Sequence, residues 1–112
     1  MEFIAPDYSN LNFEEMAASI GLKPKHIPIL VMSFTDESKT ILEALKTAIS
    51  EKNFSEIQHH AHSIKGSSGN LKFNELYEMA KAMEFAGKDQ DASFPYDEAF
   101  EAIEKGVSTI SS

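Results

Sequence analysis

The sequence predicts an all-α fold, an antiparallel four-helix bundle with a short N-terminal helix. Two observations carry this. Apolar residues recur in steps of three and four along five segments, the period of a helix face. Period-two alternation is absent, and so are the Asn-Gly and Asp-Gly pairs that close hairpins. Short connections between the segments favour antiparallel neighbours. At 112 residues the chain reads as one domain, 1–112, long enough to bury a single core.

The first helix is expected from about Asn12 to Ile20, with Gly21 ending it. Pro24 and Pro28 place the start of the second within residues 24–28, where a missing N–H costs little. Its seam runs Ile27, Leu30, Val31, Phe34, Ile41, Leu45 and Ala48, long enough for about six turns. The third segment opens at Asn53, with Glu56 placed as in a capping box. It turns Ile57, Ala61, Ile64, Ser68 and Leu71 inward. The fourth starts near Asn74, buries Leu76, Ala80 and Met83, and is expected to stop at Gly87. A connection from Lys88 to Ser93 follows. The last helix takes Ser93 as its cap and Pro95 in its first turn, then repeats Tyr96, Ala99, Phe100, Ile103, Val107 and Ile110.

Apolar residues at 42% and charged residues at 25% are those of a globular chain. Ten Lys and Arg against 18 Asp and Glu give a net charge of −8. That balance argues against a nucleic-acid or anionic-membrane surface, which draws its affinity from clustered cations. The absence of cysteine excludes disulfides, thiol catalysis and Cys-type zinc sites. No apolar run approaches the roughly 20 residues that span a bilayer, and no basic stretch followed by an apolar one opens the chain. A soluble, cytoplasmic domain without membrane insertion is expected.

One stretch differs in texture, His59-His60-Ala61-His62-Ser63-Ile64-Lys65-Gly66-Ser67-Ser68-Gly69-Asn70. It holds three of the four histidines, together with two glycines that would each cost a helix about 1 kcal/mol. At about 100° per residue from Ile57, His62 falls near 140°, Gly66 near 180° and Gly69 near 120°, away from the apolar face. His62 therefore projects to solvent, a nearly bare strip lies one and two turns beyond it, and Lys65 stands beside it at i+3. An imidazole is nucleophilic near neutral pH, an ammonium stabilises added phosphoryl charge, and missing side chains let another protein approach. The pair Gly69-Asn70 either continues this helix or caps it.

Other chemistries fit poorly. His59 and His62 sit at metal-ligand spacing, but the sequence offers no evident third ligand. Lys-Gly-Ser-Ser-Gly has the wrong order for a phosphate-binding loop, and no strand precedes it. A Ser–His–Asp hydrolase needs its nucleophile on a strand-to-helix turn, which an all-helical chain lacks. Asp36, Glu37, Glu43 and Glu51 read as solvated surface.

The run from Ala61 to Leu71 resembles the His-x-x-Lys-Gly motif of histidine phosphotransfer (HPt) domains in multistep bacterial phosphorelays. The likeness extends over nearly the whole chain. It includes the short helix ending at Gly21-Leu22, the long helix with Phe34, and Met83-Glu84 where the family often has Leu-Glu. Lys72 departs from it, standing where many members have glycine. The resemblance implies that His62 accepts a phosphoryl group, that Lys65 assists, and that Gly66 and Gly69, with Gln58 and His59, form a docking surface. The function it implies is a phosphorelay intermediate, charged by a receiver-domain aspartyl phosphate, discharging to a response-regulator aspartate, or both. Its partners would be a receiver domain and/or a hybrid sensor histidine kinase. It implies a monomer with no cofactor, nucleotide or metal of its own, since Mg²⁺ sits in the receiver, and no autonomous kinase activity. Two alternatives share the motif. One is the histidine domain of a chemotaxis-type kinase, phosphorylated by a kinase domain. The other is a non-catalytic receiver-binding module, which would characteristically lack the acceptor histidine.

Overall fold

Local chemistry sets the first helix where the sequence places it. In the structure, a computed structural model describing residues 3–110, helix α1 spans Phe13–Ile20. The Asn12 side-chain oxygen accepts the Glu15 N–H at 3.0 Å, and Gly21 closes the helix at φ 73°. A 3₁₀ turn at Pro24–His26 leads into α2, Ile27–Ser50, followed by α3, Phe54–Asn70, α4, Asn74–Lys88, and α5, Tyr96–Ser108. The fold is all-α, with no strand among the described residues. None of these helices is long and apolar enough to cross a membrane.

At α3, Asn53 caps by accepting the Glu56 N–H at 3.2 Å. The reciprocal half of the capping box is not made, because the Glu56 carboxylate lies against His60 at 3.2 Å. The ends of α2, α3 and α4 share a different device. Lys52, Lys72 and Gln90 hold positive φ of 52°, 62° and 54°. In each case the next residue returns its N–H to a carbonyl five residues back: Asn53 to Ala48, Phe73 to Ser68 and Asp91 to Ala86. Lys72 thus occupies the left-handed position that glycine fills without steric cost.

Three expectations are corrected. The α2 seam passes through Ser38 and Leu42, both buried, while Leu30 is 37% exposed and Ile41 only half-buried. Ser38 is small enough to lie in the core stripe, and a count of apolar residues alone steps over it. Gly87 does not end α4. It lies buried inside the helix, where a Cβ would come within 3.0 Å of the Gln58 nitrogen and 3.1 Å of the Phe54 carbonyl oxygen. Its missing side chain serves the close approach of two helix backbones rather than a turn. Ser93 does not cap α5, which starts after Pro95 without a side-chain cap. The Ser93 hydroxyl instead donates to Asp91 at 2.6 Å within the preceding turn.

Elsewhere the predicted core faces hold. Ile57, Ala61, Ile64, Ser68 and Leu71 are buried, as are Leu76, Ala80 and Met83. So are Ala99, Phe100, Ile103, Val107 and Ile110, with Tyr96 half-buried at the rim. The broadest contact joins α3 to α4; α2 packs on α3 and α5, and α4 on α5. Helices α3 and α4 run antiparallel, since His62 meets Glu84 near one level and Gly69 meets Tyr77 at another.

Two sets of substitutions test this account of the backbone by urea unfolding. Lys72→Gly and Gln90→Gly should each raise stability by about 0.5–1 kcal/mol, by relieving the left-handed conformation of a side-chain-bearing residue. Gly87→Ala should lower it by about 1–3 kcal/mol, because the new methyl group meets backbone that cannot move aside cheaply. Unchanged unfolding midpoints in all three would contradict it.

Candidate functional site

The α3–α4 seam brings one carboxylate between two basic side chains. Glu84 lies on α4 beside core residues Ala80 and Met83, at the edge where the helix turns from the interior toward α3. The residue is 8% exposed. Its Oε2 is 2.8 Å from Nδ1 of His62, and its Oε1 is 2.7 Å from Nζ of Lys65. Burial alone would push this carboxyl up. Hydrogen bonds from Lys65 and His62, with the charges they bring, outweigh burial and hold it below the usual carboxylate range.

That ionisation decides the state of the histidine. A carboxylate only accepts hydrogen bonds, so Nδ1 of His62 carries the hydrogen and donates it. Whenever the ring is neutral, its lone pair is therefore on Nε2, at the edge away from Glu84. The side chain is 64% exposed, which leaves the ring accessible to an incoming group. The arrangement is a positioned nucleophile with its second nitrogen fixed by an anion.

The other expected residues divide. Lys65 is on the histidine's flank, but its side chain is only 20% exposed and its ammonium rests on Glu84, not on the imidazole. Gly66 is bare: no atom lies within 4 Å of where its Cβ would be. Gly69 is not, because the Tyr77 ring lies 3.1 Å from that position. Both glycines are inside α3, which continues through Asn70, so the reading in which Gly69-Asn70 caps the helix is set aside. Gln58 is half-buried on the approach to α4, and His59 is exposed with its ring 5.1 Å from that of His60. Among the described residues, no three His, Asp or Glu side chains converge as a metal-binding group.

Sequence reasoning assigned no role to Glu84, although the Met83-Glu84 pair was part of the resemblance. The available signal was an acidic residue directly beside two core positions of one helix. It also did not foresee that the apolar side chains Leu22, Ile29, Leu30 and Met32 would be exposed at the α1–α2 corner. Two of these, Leu22 and Leu30, line a shallow groove with Ser67 and Asn70 of α3, next to Gly66.

Residues 30–111 match the Hpt domain family model. The chain belongs to the Hpt domain family. None of the curated proteins and none of the solved structures compared with it matches. Hpt domains carry out phosphotransfer in phosphorelays and work with the receiver domains and kinases of two-component systems. In this Hpt domain the family match spans α3 and α4 entirely, and with them the His62–Glu84–Lys65 bridge.

The bridge makes stability depend on pH in a defined direction. The Glu84 pKa is depressed on folding, so its contribution is fully present above its ordinary value of 4.5 and is lost as pH falls through the folded value. Glu84→Gln should destabilise the domain by about 1–2 kcal/mol at pH 7, since Lys65 loses its counter-charge. The deficit should shrink steadily below pH 4.5. Equal deficits at pH 7 and pH 3 by urea unfolding would remove the ionised carboxylate from the account.

Proposed function

We propose that His62 is the phosphoryl acceptor, charged from a receiver-domain aspartyl phosphate or discharging to a response-regulator aspartate. The observation that carries this reading is the 2.8 Å hydrogen bond between Nδ1 of His62 and Glu84, which in the neutral ring puts the lone pair on Nε2 of a side chain that is 64% exposed. Nε2 attacks phosphorus, the P–N bond forms as the P–O bond to aspartate breaks, and the aspartate departs as a carboxylate. The hydrogen stays on Nδ1, donated to Glu84, so no proton need move. The ring gains positive charge as it is phosphorylated, and the carboxylate beside it stabilises that charge. Transfer to a receiver reverses these bond changes.

The scaffold supports the reading. We take α2 to α5 as the predicted antiparallel four-helix bundle and 1–112 as a single phosphotransfer domain, with the nucleophile on a rigid helix rather than a loop. Gly66 leaves the surface next to His62 clear, and the apolar groove at Leu22 and Leu30 adjoins it. Together these give a partner both a bare approach and an apolar footing. Lys65 assists through its ion pair, which holds Glu84 in place.

His62→Gln should abolish acid-labile labelling while leaving helix content unchanged, because the lost side chain is mostly exposed. Gly66→Leu should stay folded and accept phosphoryl from phosphoramidate at close to the wild-type rate, yet lose about tenfold or more in transfer from a phosphorylated receiver, which needs correct docking. Label persisting on His59 or His60 in His62→Gln would overturn the assignment. Equal loss with both donors in Gly66→Leu would show a distorted acceptor helix instead of a blocked surface.

A further inference from the structure

The bridge leaves the charge of a phosphorylated site unbalanced. Lys65 is the cation nearest His62 in sequence, but its ammonium is already matched by Glu84 at 2.7 Å. A phosphoryl group adds about −1.5 to −2 charge at neutral pH. It would arrive beside a carboxylate that stays ionised, in a chain whose net charge is −8. Another cation on this face would relieve the repulsion.

Lys81 meets that need. It is one turn before Glu84 on α4, half-buried, and makes no ion pair among the described residues. Its ammonium is held between two aromatic rings, 6.0 Å from the centroid of Tyr77 and 5.9 Å from that of Phe85. Both rings, which lie on α4 with it, also meet α3. Tyr77 lies over Gly69, and Phe85 has the Lys65 ammonium 5.9 Å from its centroid as well. Phe85 is itself 48% exposed, a large ring kept at the surface beside two ammonium groups. A cation resting on ring faces is bound weakly enough to leave for an anion.

We propose that Lys81 is a second phosphoryl-binding cation, parked on Tyr77 and Phe85 in the resting domain and drawn to the phosphoryl group on His62. The inference rests on His62 being the acceptor, and its test keeps the two apart. The unmodified protein and its Lys81→Gln and Lys81→Arg variants are phosphorylated with phosphoramidate, and the ³¹P resonance is titrated between pH 5.5 and 8.5. A nearby cation favours the dianion, so Lys81→Gln should raise the phosphoryl pKa by about 0.3, and Lys81→Arg should restore it. The difference should fade in high salt, while urea unfolding of the unphosphorylated variants stays at the wild-type midpoint. A phosphohistidine resonance on His62 whose pKa is the same in Lys81→Gln overturns the role of Lys81 and leaves the acceptor assignment standing. A failure of Lys81→Arg to restore the pKa overturns it equally. No resonance on His62 in the unmodified protein overturns the acceptor assignment, and this inference with it.

Discussion

A hydrogen bond and an ion pair to one carboxylate join the acceptor helix to its neighbour, and the chemistry of the domain depends on both. Glu84 reaches His62 and Lys65 at 2.8 and 2.7 Å because α3 and α4 lie close enough for a side chain on one to span to the other. That closeness has its own cause in the sequence. Gly87 lets the Gln58 nitrogen and Phe54 carbonyl approach to distances a Cβ would forbid, and Gly69 admits the Tyr77 ring at the other end of the contact. Two glycines in different helices thus set the spacing that a third residue, Glu84, uses.

The electrostatics follow from the same carboxylate. A neutral imidazole exchanges between two tautomers, and only one exposes the outer nitrogen as a nucleophile. An ionised Glu84 selects it without adding a proton-transfer step. The same charge opposes a phosphoryl group while favouring the positive ring beneath it. On the proposed reading these effects partly cancel, which suits a carrier that must release what it accepts. Cations on this face then tune the balance, and an acidic chain with 10 Lys and Arg supplies few of them.

What the sequence disclosed, and what it hid, can be traced to particular residues. The end of α1 was legible because Gly21 closes the helix through its own left-handed backbone. The face of α3 was legible because its period is unbroken from Ile57 to Leu71. Ser38 broke the α2 pattern, since a buried hydroxyl looks like a surface residue in a list. Gly87 was misread as a stop because a glycine that closes a helix and one that lets two helices touch are the same letter. Glu84 was hidden for the deepest reason. Its meaning lies in a partner 22 residues away, and helical periodicity describes one element at a time.

The central claim is that Glu84 fixes the His62 proton on Nδ1 and leaves Nε2 as the nucleophile. Long-range ¹H–¹⁵N correlation of the His62 imidazole, before and after phosphorylation, tests it most directly. The account predicts that the neutral ring carries its hydrogen on Nδ1 and that the phosphoryl group is coupled to Nε2 after reaction. A neutral ring with its hydrogen on Nε2, or a phosphoryl group on Nδ1, would contradict it.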